Sequence, residues 1–124
     1  MGLLTRAAIL EGNDLPRLRL EVPEWDGHVL VAMLPGSARF AYHQYQAALP
    51  TDSFDHIAHL VALTVVDEDG ARLFTDEDVK ALNEKSAAAL LRVFRAALRH
   101  NRLGDAEVDA AKGESEPSRS SVTV

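Results

Sequence analysis

Asp52, His56 and His59 are three side chains of types that hold metals, and if their stretch of chain is helical they can share one face. The histidines stand at i and i+3. A catalytic zinc helix instead places them at i and i+4 with a glutamate base, an arrangement this segment lacks. Both histidines are therefore expected to be solvated or interface residues beside an apolar stripe, and His28, His43 and His100 are scattered. A second candidate is Asp67-x-Asp69-Gly70, which has the opening of a calcium loop. Counting from Asp67, the fifth, sixth and twelfth places hold Ala71, Arg72 and Asp78, where an EF-hand loop needs a ligand, a glycine and a glutamate. A turn leading into a helix cap accounts for the same residues.

Asp67, Glu68, Asp69, Asp76, Glu77 and Asp78 concentrate carboxylates around one turn, with only Arg72 among them. Nothing apolar nearby raises the pKa of one above another, so an acid/base pair is not expected, and the group reads as a solvated acidic knob. The chain has no cysteine, which removes thiolate nucleophiles, thiolate zinc sites and disulfides, and no glycine-rich phosphate loop follows a strand. Neither catalytic residues nor a cofactor or metal are expected.

The elements that must position these residues follow from pattern. At 124 residues the chain is one domain by length, able to bury a core without staples, and its net charge of −6 disfavours nucleic acid. No apolar run reaches membrane-span length, and the N-terminus lacks the layout of a signal peptide; a cytoplasmic protein is expected. Residues 3–11 form a short candidate helix with Thr5 as cap, ended by Gly12-Asn13. Residues 17–22 alternate strictly, with Leu18, Leu20 and Val22 on one face, and residues 28–34 are a second β-prone run. Asp26-Gly27 between them supplies the positive φ of a hairpin connection. Two strands alone are marginal, so the hairpin must lie on helices or on another subunit.

Pro35-Gly36-Ser37 breaks the strand and caps a helix over residues 38–49 that Pro50 stops. Over residues 54–66, Ile57, Leu60, Val61, Thr64 and Val65 favour an amphipathic helix, although its β-branched end has the composition of a strand. Thr75 is expected to cap a long helix over residues 76–101 by accepting the Asp78 backbone N–H, with Phe74 and Val79 as a hydrophobic staple and Val79, Leu82, Leu90, Val93, Phe94, Ala97 and Leu98 as its apolar stripe. Gly104 offers its C-cap. The fold class is thus α+β, mostly α-helical with an N-terminal β-hairpin, in a domain spanning 1–111, followed by a disordered polar tail over 112–124.

Lys85, Arg92 and Arg99 recur every seven residues, with Arg95 and Arg102 beside them. They read either as a solvated face completing the helix dipole or as an interaction seam. With acid at one end of the helix and base at the other, identical subunits can meet head to tail in rings or filaments. Trp25 at the hairpin tip covers the junction with the helices or faces a partner. The expected protein-interaction residues are Trp25, Asp67, Asp69, Phe74, Asp76, Asp78, Arg92, Arg95, Arg99 and Arg102.

Three segments in this order, Leu3-Leu4-Thr5-Arg6-Ala7-Ala8-Ile9-Leu10, Val22-Pro23-Glu24-Trp25-Asp26-Gly27 and Val66-Asp67-Glu68-Asp69-Gly70 followed by Leu73-Phe74-Thr75-Asp76-Glu77-Asp78-Val79, resemble the tail assembly chaperones of long-tailed bacteriophages and prophages. Asp26 departs from the family, which often has a second glycine there. The resemblance implies a non-enzymatic scaffold in the infected bacterial cytoplasm, absent from the mature virion. It implies as partners the tape measure protein, further copies of the chain, and the tail tube protein through a longer frameshifted product, with no nucleic acid or membrane. The alternative from another class is an acidic regulatory protein, an inhibitor or antitoxin, that occupies a basic surface of its target.

Overall fold

The computed structural model describes residues 2–103. Helix α1 spans Arg6–Glu11, with the Thr5 hydroxyl accepting the Ala8 N–H at 3.2 Å, as its sequence predicts. Strands β1 (Arg17–Val22) and β2 (Gly27–Ala32) form the expected antiparallel hairpin. Their connection is a 3-10 turn over Pro23–Trp25, and the positive φ falls on Asp26 (56°), not on the glycine after it. Paired residues share a face, so Leu18, Leu20 and Val22 join Val31 and Val29 on one side, leaving Arg17, Arg19 and Glu21 with Leu30 and Ala32 on the other. Helix α5 covers the first side.

Helix α2 spans Gly36–Ala48 with Pro35, from the expected capping segment, as its N-cap, so the helix begins at Gly36 and not at Ala38. Helix α3 covers Asp55–Thr64, and its β-branched continuation Val65–Val66 is strand β3, paired antiparallel with β2 through Val31↔Val65 and Leu30↔Val66. Both readings of that stretch hold, each for its own part. The sheet order is β1-β2-β3, which leaves β1 with an unpaired edge. Mostly helical α+β architecture is therefore the observed class.

The expected long helix is divided. A 3-10 turn at Asp76–Asp78 leads into α4 (Val79–Asn83), the chain breaks over residues 84–86, and α5 runs Ala87–Asn101. The Ser86 hydroxyl accepts the Ala89 N–H at 3.2 Å and so starts a second helix. Glu84 and Lys85, good helix formers, hide this boundary in the sequence. The far end also differs. Arg102 takes the left-handed C-cap conformation (φ 56°), its N–H on the Arg99 and Leu98 carbonyls. Gly104, the continuation to 111 and the tail over 112–124 lie outside the described residues.

One core joins these elements: Val22 and Val31 of the sheet, Leu60 and Val61 of α3, Val79 and Leu82 of α4, Leu90 and Val93 of α5, and Tyr42 of α2. Buried polar groups act as joints. Thr64 returns its hydroxyl to the Leu60 carbonyl at 2.8 Å. Asn101, 5% exposed, accepts the Leu34 N–H at 2.6 Å and donates to the carbonyls of Ala32 (3.2 Å) and Ala97 (3.0 Å). That side chain fixes the end of α5 to the corner between β2 and α2.

Candidate functional site

The acidic turn is built around its own backbone. Asp67 Oδ1 accepts the N–H groups of Asp69 (2.8 Å) and Ala71 (3.0 Å), and Gly70 supplies the positive φ of 88° that closes the loop. Arg17 Nη1 reaches across from β1 to the Glu68 carbonyl at 2.6 Å. Arg72 donates through Nε to the Ala62 carbonyl (3.0 Å) and through Nη2 to Asp76 Oδ1 (2.9 Å). Asp78 Oδ2 takes the Thr75 N–H at 2.8 Å, the returning half of a capping box. Phe74 and Val79, the expected staple, both lie against the core.

Asp67, Asp76 and Asp78 are thus occupied internally. Glu68, Asp69 and Glu77 have no side-chain partner among the described residues and carry the outward negative field. Among the described residues no group of three metal-capable side chains converges, and Asp52, His56 and His59 do not assemble.

The basic stripe divides in the same way. Arg92 forms a two-pronged pair with Glu24 of the hairpin turn, Nε to Oε1 at 3.0 Å and Nη2 to Oε2 at 2.9 Å. The guanidinium's hydrogen bond holds the Glu24 carboxyl below the usual carboxylate range. Beside it, half-buried Trp25 packs on the core, as expected of a residue covering the hairpin–helix junction. Arg95 and Arg99 remain exposed on α5, where with Ala88 and Leu91 they line a shallow depression, and neither has a partner among the described residues. Lys85 sits in the break and Arg102 in the C-cap, so the seven-residue recurrence does not produce one continuous seam.

His59 departs furthest from its expected role. It is 3% exposed, stacked on Tyr45 with ring centroids 3.8 Å apart, and its Nε2 lies 3.6 Å from Asp76 Oδ1. Nδ1 has no hydrogen-bond partner among the described residues. His56 meets Phe94 edge-on. Burial holds the His59 imidazole below its ordinary pKa; the Asp76 carboxylate opposes this and the Arg72 charge adds to it. The folded protein therefore keeps His59 neutral where the unfolded chain takes up a proton. Stability is expected to fall as pH drops from 7.5 through the ordinary histidine value, by up to about 1.4 kcal/mol per pH unit from this group, and to level off below the folded pKa. Urea midpoints at pH 7.5 and 5.5 test this. His59→Phe, which keeps the stacking and removes the titration, should flatten the difference, and an unchanged slope would assign the effect to other groups.

Two features had no place among the expected interaction residues. Leu3, Leu4, Ile9 and Leu10 are 101%, 66%, 55% and 64% exposed, and α1 buries none of its residues. On the sheet side away from α5, Leu15, Ala32, Met33, Leu34, Leu63 and Val66 line a trough of about 510 Å³ rimmed by Arg17, Asp69 and Arg72. The alternation in β1 and β2 marks only the α5 side as buried. The trough depends on β3 and the start of α2, which no local pattern brings together.

No family model matches the chain, and no curated protein matches it in sequence. Among solved structures, the fold is similar to that titled "Structure of bacteriophage HK97 tail assembly chaperone", at 18% sequence identity and a TM-score of 0.57. The similarity covers 71% of this chain and 83% of that one. At this identity the likeness establishes a shared fold.

Proposed function

We propose that this chain is a phage tail assembly chaperone: a non-enzymatic protein that self-associates and coats a tape measure protein until tail tube subunits polymerise around it. The observation that carries the reading is the agreement in fold with the HK97 tail assembly chaperone over most of both chains. The chain's own motif order, a short apolar N-terminal helix, a Trp-bearing hairpin turn and an acidic turn feeding a capped helix, supports it independently.

The distribution of polar groups suits such work. Interior ones are consumed as joints at Asn101 and Thr64, while Glu68, Asp69 and Glu77 on one side and Arg95 and Arg99 on α5 stay available. Contacts made by such exposed charges are individually weak and reversible, and gain strength only when repeated along an oligomer. A long partner is held by many of them and released when a competing polymer displaces the array. On this reading the protein acts in the host bacterial cytoplasm, is left out of the mature virion, and meets the tail tube protein through a longer frameshifted form.

Co-expression with the tape measure protein of the same phage or prophage genome tests the proposal. The tape measure protein should move from the pellet to the soluble fraction, at least severalfold, and be retained on the tagged chain. Unchanged solubility defeats the chaperone role.

A further inference from the structure

We infer that the N-terminal arm of one copy, residues 3–10, docks in the trough of the next copy. The inference rests on the self-association proposed above and names the surfaces that carry it.

The arm needs a surface to pack on. A six-residue helix is far below the length that is stable alone in water, yet none of the residues of α1 is buried within its own protomer. Leu3, Leu4, Ile9 and Leu10 together expose about 500 Å² of mostly apolar surface, the size of patch that marks an interaction site.

The arm is not placed to fill its own trough. Its root is fixed there: Asn13 and Leu15 themselves line the trough, and the Leu15 N–H is held by Asn13 Oδ1 at 3.2 Å. Between root and helix, Gly12 is extended (φ −73°, ψ 148°), and a Cβ there would stand 2.9 Å from the Ala8 carbonyl oxygen, so the chain leaves α1 by a path that suits glycine. No arm residue reaches the trough lining.

Charge selects a second copy as the occupant. Arg6 is the one charged residue in 3–10, a segment without acid in a chain of net charge −6. The trough rim offers Asp69, beside Glu68, with no side-chain partner among the described residues, while the rim cations Arg17 and Arg72 are held on carbonyls and Asp76. Arm and trough are different surfaces of one protomer, so each copy gives to one neighbour and receives from another. A heterologous series results, closing into a ring or continuing as a filament.

The absence of cysteine makes a direct test simple. Full-length Leu10→Cys and Met33→Cys variants, mixed and treated with oxidised glutathione, should give a disulfide-linked pair well above the background of either alone. The double variant should give a ladder of multimers. A double variant that yields only an internally bridged monomer overturns the inference, as does a mixture no better than its components. In parallel, sedimentation should show association weakened by more than about tenfold in a variant with Leu3, Leu4, Ile9 and Leu10 all changed to serine. Its melting temperature should change little, because all four side chains are exposed. Arg6→Glu should weaken association and Asp69→Arg in the same chain should restore it.

If the wild type assembles and the serine variant assembles equally, the arm is excluded while self-association stands. If the wild type is monomeric at high concentration, both fall. A serine variant that assembles normally but loses the tape measure protein would give the arm to that partner and overturn the inference.

Discussion

Asn101→Ala is expected to lower the free energy of unfolding by about 3 kcal/mol, a large share of the 5–15 kcal/mol typical of a domain. The side chain is 5% exposed and its three hydrogen bonds reach Leu34, Ala32 and Ala97. Its loss leaves the buried Leu34 N–H without its acceptor. Urea titration reads this as a lower midpoint at unchanged slope. Asn101→Leu separates volume from polarity. It refills the space and leaves the amide unpaired, so it should recover little, and near-wild-type stability in that variant would show that packing alone held the corner.

Leu60→Ala should cost about 2–5 kcal/mol, the range for emptying a fully buried aliphatic site. Leu60 is 0% exposed at the middle of α3, the helix that packs against α2, α4, α5 and β2, so a cavity there loosens several contacts together. Leu73→Ala provides the contrast. Leu73 is 53% exposed, and its truncation should fall within about 0.5 kcal/mol. Comparable losses at the two positions would mean that α3 is not the centre of the core.

The elements legible in the sequence are those whose signals are local. Thr5 as a cap, strict alternation in β1, the turn at Asp26 and the β-branched end of α3 each act within a few residues, and each forms as its neighbours dictate. Where the reading failed, two local preferences competed. Glu84 and Lys85 favour continuing a helix, while Ser86 favours starting one, and tertiary contacts settle the matter. Asn83 Nδ2 holds Asp55 Oδ1 at 2.8 Å, tying the end of α4 to the start of α3, and α5 restarts to cover the hairpin.

At the candidate interaction positions the sequence shows the type of each charge but not its occupancy. Charge spacing marks Asp67, Asp76, Asp78 and Arg92 as readily as Asp69, Arg95 and Arg99, yet the first four are committed to amides, a guanidinium, a cap and Glu24. Which partner a charge has already taken is a long-range fact: Arg92 meets a residue 68 positions away. His59 was misplaced for a related reason. Its neighbours on the stripe are apolar, but only the folding of α2 over α3 brings Tyr45 onto its ring. The trough needs four separate segments, and periodicity in any one of them is silent about it.

The free margin of β1 has a consequence for crowding. An open row of backbone amides and carbonyls invites cross-β stacking by any extended peptide, the route by which assemblies turn into amyloid. Here the strand is short and its outer side is set with Arg17, Arg19 and Glu21, Arg19 and Glu21 clasped at 3.0 Å. Such gatekeepers resist the dry interdigitation that a fibril requires. At high concentration the strand edge is thus a disfavoured place for another chain to add.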